Sequence, residues 1–183
     1  MRWGALFDDL ESQLIAAERA LVEDQVGELA RAEQALLTLA DRLRPHRGVV
    51  EMILRCGVRF KGRPAEVAKD WLVLDAAPRS FLVPLRSVVT VAGLNRDARP
   101  EVSRVRREMT LGSALRALAR GRVTVACHVD AGRAEALLVS GVIDVVGRDY
   151  IEIAHGGDDW GRWQTGGSSV LPLPALIAIS SVG

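Results

Sequence analysis

Three histidines, two cysteines and two acidic doublets are the first places to look for chemistry in this 183-residue chain. Cys127 and His128 are adjacent in an apolar run. On a β-strand such neighbours point to opposite faces, so they cannot act together as nucleophile and base. His46, His128 and His155 stand at no metal-ligand spacing from one another or from a cysteine. Asp8-Asp9 and Asp158-Asp159 are sequence neighbours and read as solvated helix-start or turn residues rather than as an acid–base pair. Gly156-Gly157 and Gly166-Gly167 neither lead a strand into a helix nor precede Lys-Ser, so they make no phosphate loop. The expectation is a protein that is not an enzyme and takes no cofactor or metal.

Binding chemistry has better material. Residues 95–122 hold Arg96, Arg99, Arg104, Arg106, Arg107, Arg116, Arg120 and Arg122 against only Asp97, Glu101 and Glu108, a local charge of +5. Arginine forks match phosphate geometry, and a patch of this density can hold phosphates by releasing counterions. Residues 1–36 carry −5, so the overall +1 is a cancellation of two local fields. The acidic segment could itself lie against the basic one, within the chain or in a second copy. The second candidate is Trp160-Gly161-Arg162-Trp163, where two indoles flank a guanidinium in a Gly-rich stretch. Such aromatics serve as platforms for a base or a partner side chain, or else fold back over an apolar core.

Arginine dominates the cations everywhere, since Lys61 and Lys69 are the only lysines. With the Ala, Val, Leu and Gly richness, this bias reads first as the mark of a GC-rich bacterial genome. Hydrophobic residues at 49% and charged ones at 26% exclude a disordered chain, and two cysteines exclude a disulfide scaffold. Cys56 and Cys127 read as free thiols. Met1–Leu10 has no basic region followed by an apolar stretch, and the uncharged run 170–183 is interrupted by Pro172 and Pro174. The expected location is cytoplasmic, without a membrane partner.

The elements that must position these residues change texture along the chain. Residues 5–43 are rich in Ala, Leu, Glu, Gln and Arg, without proline. One apolar stripe runs Leu6, Leu10, Leu14, Ala17, Leu21 and a second runs from Val26 to Leu43. Their phase breaks at Glu23-Asp24-Gln25, either a coiled-coil irregularity or the corner of a helical hairpin. From Val49 the texture is β, interrupted by a helix-compatible stretch from Glu101 to Arg120.

An internal repeat organises the β part. Gly62 to Leu74 lines up with Gly141 to Ile153, with Asp70-Trp71 matching Asp149-Tyr150. Ser80 to Val91 lines up with Ser168 to Ile179, with Pro84-Leu85 matching Pro172-Leu173. The offset grows from 79 to 88 residues between the two blocks, which places the Trp160–Trp163 stretch in an insertion peculiar to the second copy. Leu37-Thr38-Leu39 and Met109-Thr110-Leu111 precede the two copies alike. Gly62 and Gly141 mark a sharp bend within a strand, and Ala68-Lys69-Asp70 and Gly147-Arg148-Asp149 supply hairpin turns.

Each unit, with a leading helix, a bent glycine-bearing second strand, a hairpin aspartate and an aliphatic last strand, resembles the Sm-like or SH3-like small barrels. The resemblance covers about residues 37–94 and 109–183. No Asn follows Asp70 or Asp149, and no Arg-Gly or Lys-Gly pair opens the last strands, so the usual RNA base pocket of Sm proteins is not carried by these residues. The expected fold is α+β: a helical segment at 1–47, a first five-stranded barrel at 48–94, a basic linker with a helix at 95–122 and a second barrel at 123–183. The expected function is a nucleic-acid-associated regulator binding RNA or DNA through Arg104, Arg106, Arg107, Arg116, Arg120, Arg122, Trp160, Arg162 and Trp163. The alternative is an interaction or assembly module that docks a protein partner, or dimerises, through residues 5–43.

Overall fold

The computed structural model describes residues 28, 31, 32, 34–155 and 167–181. The chain separates into two compact units, residues 1–38 and 39–183. In the first, Glu28, Arg31, Ala32 and Gln34–Leu36 are helical and exposed. The rest of the expected N-terminal segment lies outside the described residues.

In the second unit, α1 (Leu39–Leu43) precedes β1 (Val50–Leu54), β2 (Arg59–Val67), β3 (Trp71–Ala76), β4 (Arg79–Pro84) and β5 (Val88–Ala92). Two helices follow, α2 (Arg104–Glu108) and α3 (Leu111–Arg120). They lead to β6 (Thr124–Val129), β7 (Leu137–Val146), β8 (Tyr150–Ala154), β9 (Ser168–Pro172) and β10 (Leu176–Ser181). Among the described residues no helix is long and apolar enough to cross a membrane.

The repeat is visible bond by bond. The β2–β3 and β7–β8 turns are closed by equivalent backbone bonds, Ala68 N to Trp71 O and Gly147 N to Tyr150 O, both 2.9 Å. Leu85 N donates to Asp70 O at 2.9 Å and Leu173 N to Asp149 O at 2.7 Å. A single 3-10 turn, Leu85–Ser87 or Leu173–Ala175, carries each copy into its last strand. Both second strands slip register at matching places, between Pro64 and Glu66 and between Ile143 and Val145. Just before these slips, a Cβ on Gly62 would overlap the carbonyl oxygen of Asp75, and one on Gly141 that of Ala154. Only glycine lets the bent strand approach its neighbour so closely.

The expectation of a helical segment followed by two five-stranded barrels is corrected by the strand pairing. The strands form one antiparallel sheet in the order β5-β1-β2-β3-β4-β10-β6-β7-β8-β9. Among the described residues, neither copy closes its fourth strand onto its own fifth. The free edge of β4 is taken instead by β10 of the other copy, with Ile179 opposite Leu82 and Ser180 opposite Phe81. The helices are also short, five residues in α1 and α2 and ten in α3.

The seam interlocks two cores. The first contains Leu43, Val50, Met52, Leu54, Leu72, Leu74 and Val83 and is completed by Ile177 and Ala178 of β10. The second contains Leu111, Leu115, Val125, Cys127, Ile143, Ile151, Ile153, Leu176 and Ile179, and receives Ala68 and Trp71 from the first copy. Polar groups reinforce the join. Buried Ser87 places its Oγ 2.7 Å from the Ile177 and Pro84 carbonyls, and Arg55 Nη2 donates to Pro174 O at 2.5 Å.

Candidate nucleic-acid interface

Local chemistry fixes α3 at its N-terminus. Thr110 is the cap, and its Oγ1 accepts from Ser113 N at 3.4 Å. Asp70, from the β2–β3 turn, accepts a second orphan donor, Leu111 N, at 2.9 Å. A carboxylate at a helix start satisfies a free N–H and complements the helix dipole. The helix then buries Leu111 and Leu115 one turn apart and turns Arg116 and Arg120 outward.

The mouth of a cavity of about 400 Å³ opens at this helix start. Asp70, Arg86, Thr110, Gly112, Arg116 and Arg148 contribute to its wall. Arg86 comes from the 3-10 turn after β4, Arg148 from the β7–β8 turn and Arg116 from the second turn of α3. Arg116 folds back so that its guanidinium would lie in ordinary contact with a Cβ placed on Gly112. Three guanidiniums therefore meet one carboxylate that is already committed to capping. Burial, and then the nearby Arg55 cation, lower the Arg86 pKa from its ordinary range, while Asp70 partly restores it. Arg86 also donates to the carbonyl of Leu173. Such a site favours an anion with several oxygens in different directions, as a phosphate has.

Of the binding residues expected from the sequence, Arg116 alone among the described residues lines this cavity. Arg104, Arg106 and Arg107 are exposed on α2, and Arg104 pairs with Glu108 at 3.3 Å. Arg120 is exposed at the end of α3, and Arg122 is held by Asp144 at 2.7 Å. Trp160, Arg162 and Trp163 lie outside the described residues, as does most of the acidic segment 1–36. The first part of the basic connector is strapped to α1: Arg44 meets Asp41 at 2.7 Å, Glu101 at 3.3 Å and the Arg99 carbonyl at 2.7 Å. Arg86 and Arg148 escaped the sequence reading because they sit singly in turns of different copies. The signal that marks one of those turns is a cation beside the hairpin aspartate, Arg148-Asp149, which matches Lys69-Asp70.

Two other groups bear on chemistry. His155 contacts the Ser140 carbonyl through Nδ1 at 3.1 Å, and its Nε2 lies 2.7 Å from Ser169 Oγ. The carbonyl can only accept, so Nδ1 carries the proton and Nε2 accepts from the serine. The pair has the geometry of a nucleophile and base, but neither residue lines the arginine cavity, and its contacts tie β7, β8 and β9 together. Among the described residues no group of three or more His, Cys, Asp or Glu side chains could hold a metal ion.

Cys127 lies in the second core, while His128 on the opposite face meets the stacked rings of Phe60 and Phe81 edge-on. Burial pushes the Cys127 thiol up to about 12 from its ordinary 9.0, and burial lowers His128 from 6.5. The native protein should therefore resist iodoacetamide at Cys127 in mildly alkaline buffer and react there once unfolded, as read by mass spectrometry. The same shifts bound the pH range of stability. Below pH 6.5 the unfolded chain takes up a His128 proton that the folded chain refuses, so stability falls as pH drops. Above pH 9.0 the unfolded chain loses a Cys127 proton that the folded chain keeps, so stability falls as pH rises. Denaturant melts across pH should show both declines, and a His128→Phe variant should lose the part of the acid decline that sets in just below pH 6.5, keeping the part at lower pH to which the lowered Asp130 carboxyl contributes.

No protein-family model, no curated protein and no solved structure matches the chain.

Proposed function

We propose that the protein is a non-enzymatic nucleic-acid-binding protein that grips backbone phosphates in the arginine-lined cavity at the start of α3. The observation that carries this reading is the meeting of Arg86, Arg116 and Arg148, from three separate elements, around one opening. Ion-paired surface arginines would be poor evidence, since salt screens them and their partners neutralise them. Arg116 and Arg148 are exposed, and Asp70, the acidic residue in the cavity wall among the described residues, already accepts Leu111 N. The exposed arginines of α2 add charge outside the cavity.

The test is fluorescence anisotropy with labelled single-stranded RNA and DNA over a salt series, comparing the full chain with an Arg116→Gln/Arg148→Gln variant. Both side chains are exposed, so the fold should survive, as circular dichroism would check. Binding at low salt should weaken at least tenfold in the variant. The slope of log affinity against log salt should shrink by about 0.7 for each lost phosphate contact on a single strand. Absence of binding by the wild type at low salt, or equal binding by the variant, overturns the reading.

A further inference from the structure

The two ends of the sheet are a fifth strand, β5 of the first copy, and a fourth strand, β9 of the second. Among the described residues each is hydrogen-bonded on one side only. The chain already shows what a fourth strand does with a fifth strand from another copy: at the internal seam β4 pairs with β10. The free edges are thus the two missing halves of a second seam. Among the described residues the two edges are not paired with each other, so each is left open to a strand from outside.

We propose that β9 of one molecule pairs antiparallel with β5 of another, head to tail, repeating the internal β4–β10 junction between copies of this chain. The repeat fixes the register. Val170 holds in β9 the place of Leu82 in β4, and Val91 the place of Ile179, so Val91 should face Val170 and Ala92 should face Ser169.

Exposure follows the same correspondence. Ile177, fully buried in the first core through the seam, corresponds to Val89, which is 60% exposed. Leu82, packed against the second core, corresponds to Val170, which is 59% exposed. Trp71, buried across the seam, corresponds to the half-buried Tyr150. The apolar positions that the seam covers are therefore the ones the free edges leave open. Beside β5 a groove of about 270 Å³, lined by Leu39, Val88, Val89, Val91 and Leu94 together with Arg42 and Thr90, offers space for an incoming side chain. Neither free strand carries a lysine or an inward-pointing charge of the kind that blocks edge pairing.

The two junctions differ in strength. Arg86 and Ser87, which bond across the internal seam, correspond to Pro174 and Ala175. The intermolecular junction rests on strand pairing and valine burial alone, so the association is reversible and weaker than the seam. It is also heterologous: each molecule presents one donor edge and one acceptor edge that differ.

Sedimentation and light scattering of the full chain, from low to high micromolar, test this. The wild-type mass should climb with concentration beyond one chain. Val170→Lys and Val89→Lys change exposed side chains and should each remain single, with unaltered circular dichroism. Mixing them is the decisive arm. The intact β5 edge of Val170→Lys should pair with the intact β9 edge of Val89→Lys, giving a complex of two chains and no longer species. A wild type that stays single at every concentration overturns the proposal. Variants that associate like the wild type, or a mixture that fails to pair when the wild type associates, do so as well.

Discussion

Gly141→Ala is expected to lower the stability of the folded chain by about 3 kcal/mol, the upper part of the usual range for overpacking. Gly141→Val is expected to leave little folded protein. The added Cβ at position 141 meets the carbonyl oxygen and carbon of Ala154 and Cγ2 of Ile153 at once. A flexible side chain could rotate away, but a carbonyl in a paired strand can yield only by breaking the β7–β8 ladder. Gly62→Ala, whose Cβ would meet the Asp75 backbone, should behave alike. The control is Gly112→Ala. Its Cβ would find only ordinary contacts in α3, and exchanging glycine for alanine in a helix stabilises by up to about 1 kcal/mol. Urea melts of the three alanine variants would give the ranking. Losses under half a kcal/mol at positions 62 and 141 would show that the close strand approach is not what requires glycine there.

Leu115→Ala should be the second severe change, destabilising by about 2–5 kcal/mol. Leu115 is fully buried among Trp71, Leu111 and the strands of the second copy, while its neighbour Arg116, about 100° further around α3, is exposed. Truncation leaves a cavity beneath a helix of only ten residues, too short to hold its form without packing. For a domain of this size that corresponds to a fall in Tm of at least about 4 °C. Arg116 and Arg148 are untouched, so nucleic-acid affinity measured well below the new Tm should be nearly unchanged. Loss of binding in a variant that still melts cooperatively would mean that α3 positions the cavity more delicately than its capping bonds imply.

Much of the local structure could be read from residue types. The two bent strands follow from Gly62 and Gly141, the hairpins from Lys69-Asp70 and Arg148-Asp149, and the short final turns from Pro84-Leu85 and Pro172-Leu173. Each is a local demand on backbone shape that side-chain chemistry states within a few residues. Which fourth strand pairs with which fifth is not such a demand. Alternation along Ser80–Pro84 suits either partner, and a closed small barrel satisfies the same pattern as an open, interlocked sheet. A hint was present in Leu176-Ile177-Ala178-Ile179, where no residue is polar and both faces are buried, against Thr90 within β5. A strand apolar on both faces has no solvent side, which fits a place between two cores better than a place at an edge.

The candidate site was legible only in part for a related reason. Arg116 belongs to a dense cluster that stands out in sequence, whereas Arg86 and Arg148 are single cations in ordinary turns. Their meeting depends on the seam, which brings the turn after β4 beside the turn after β7. Density of charge therefore pointed to the right helix and missed two of the three arginines that line the opening.

The placement of β10 also dictates when the chain can finish folding. The first core needs Ile177 and Ala178, which are translated only after the first four strands of the second copy. At about 5–20 residues per second, the ribosome takes several seconds to reach them after β4 emerges. Through that interval Leu72, Leu74 and Val83 lack part of their cover, and β4 presents an unpaired edge to every other nascent chain nearby. A duplicated sheet that shares its last strand thus trades early, copy-by-copy folding for a single late closure.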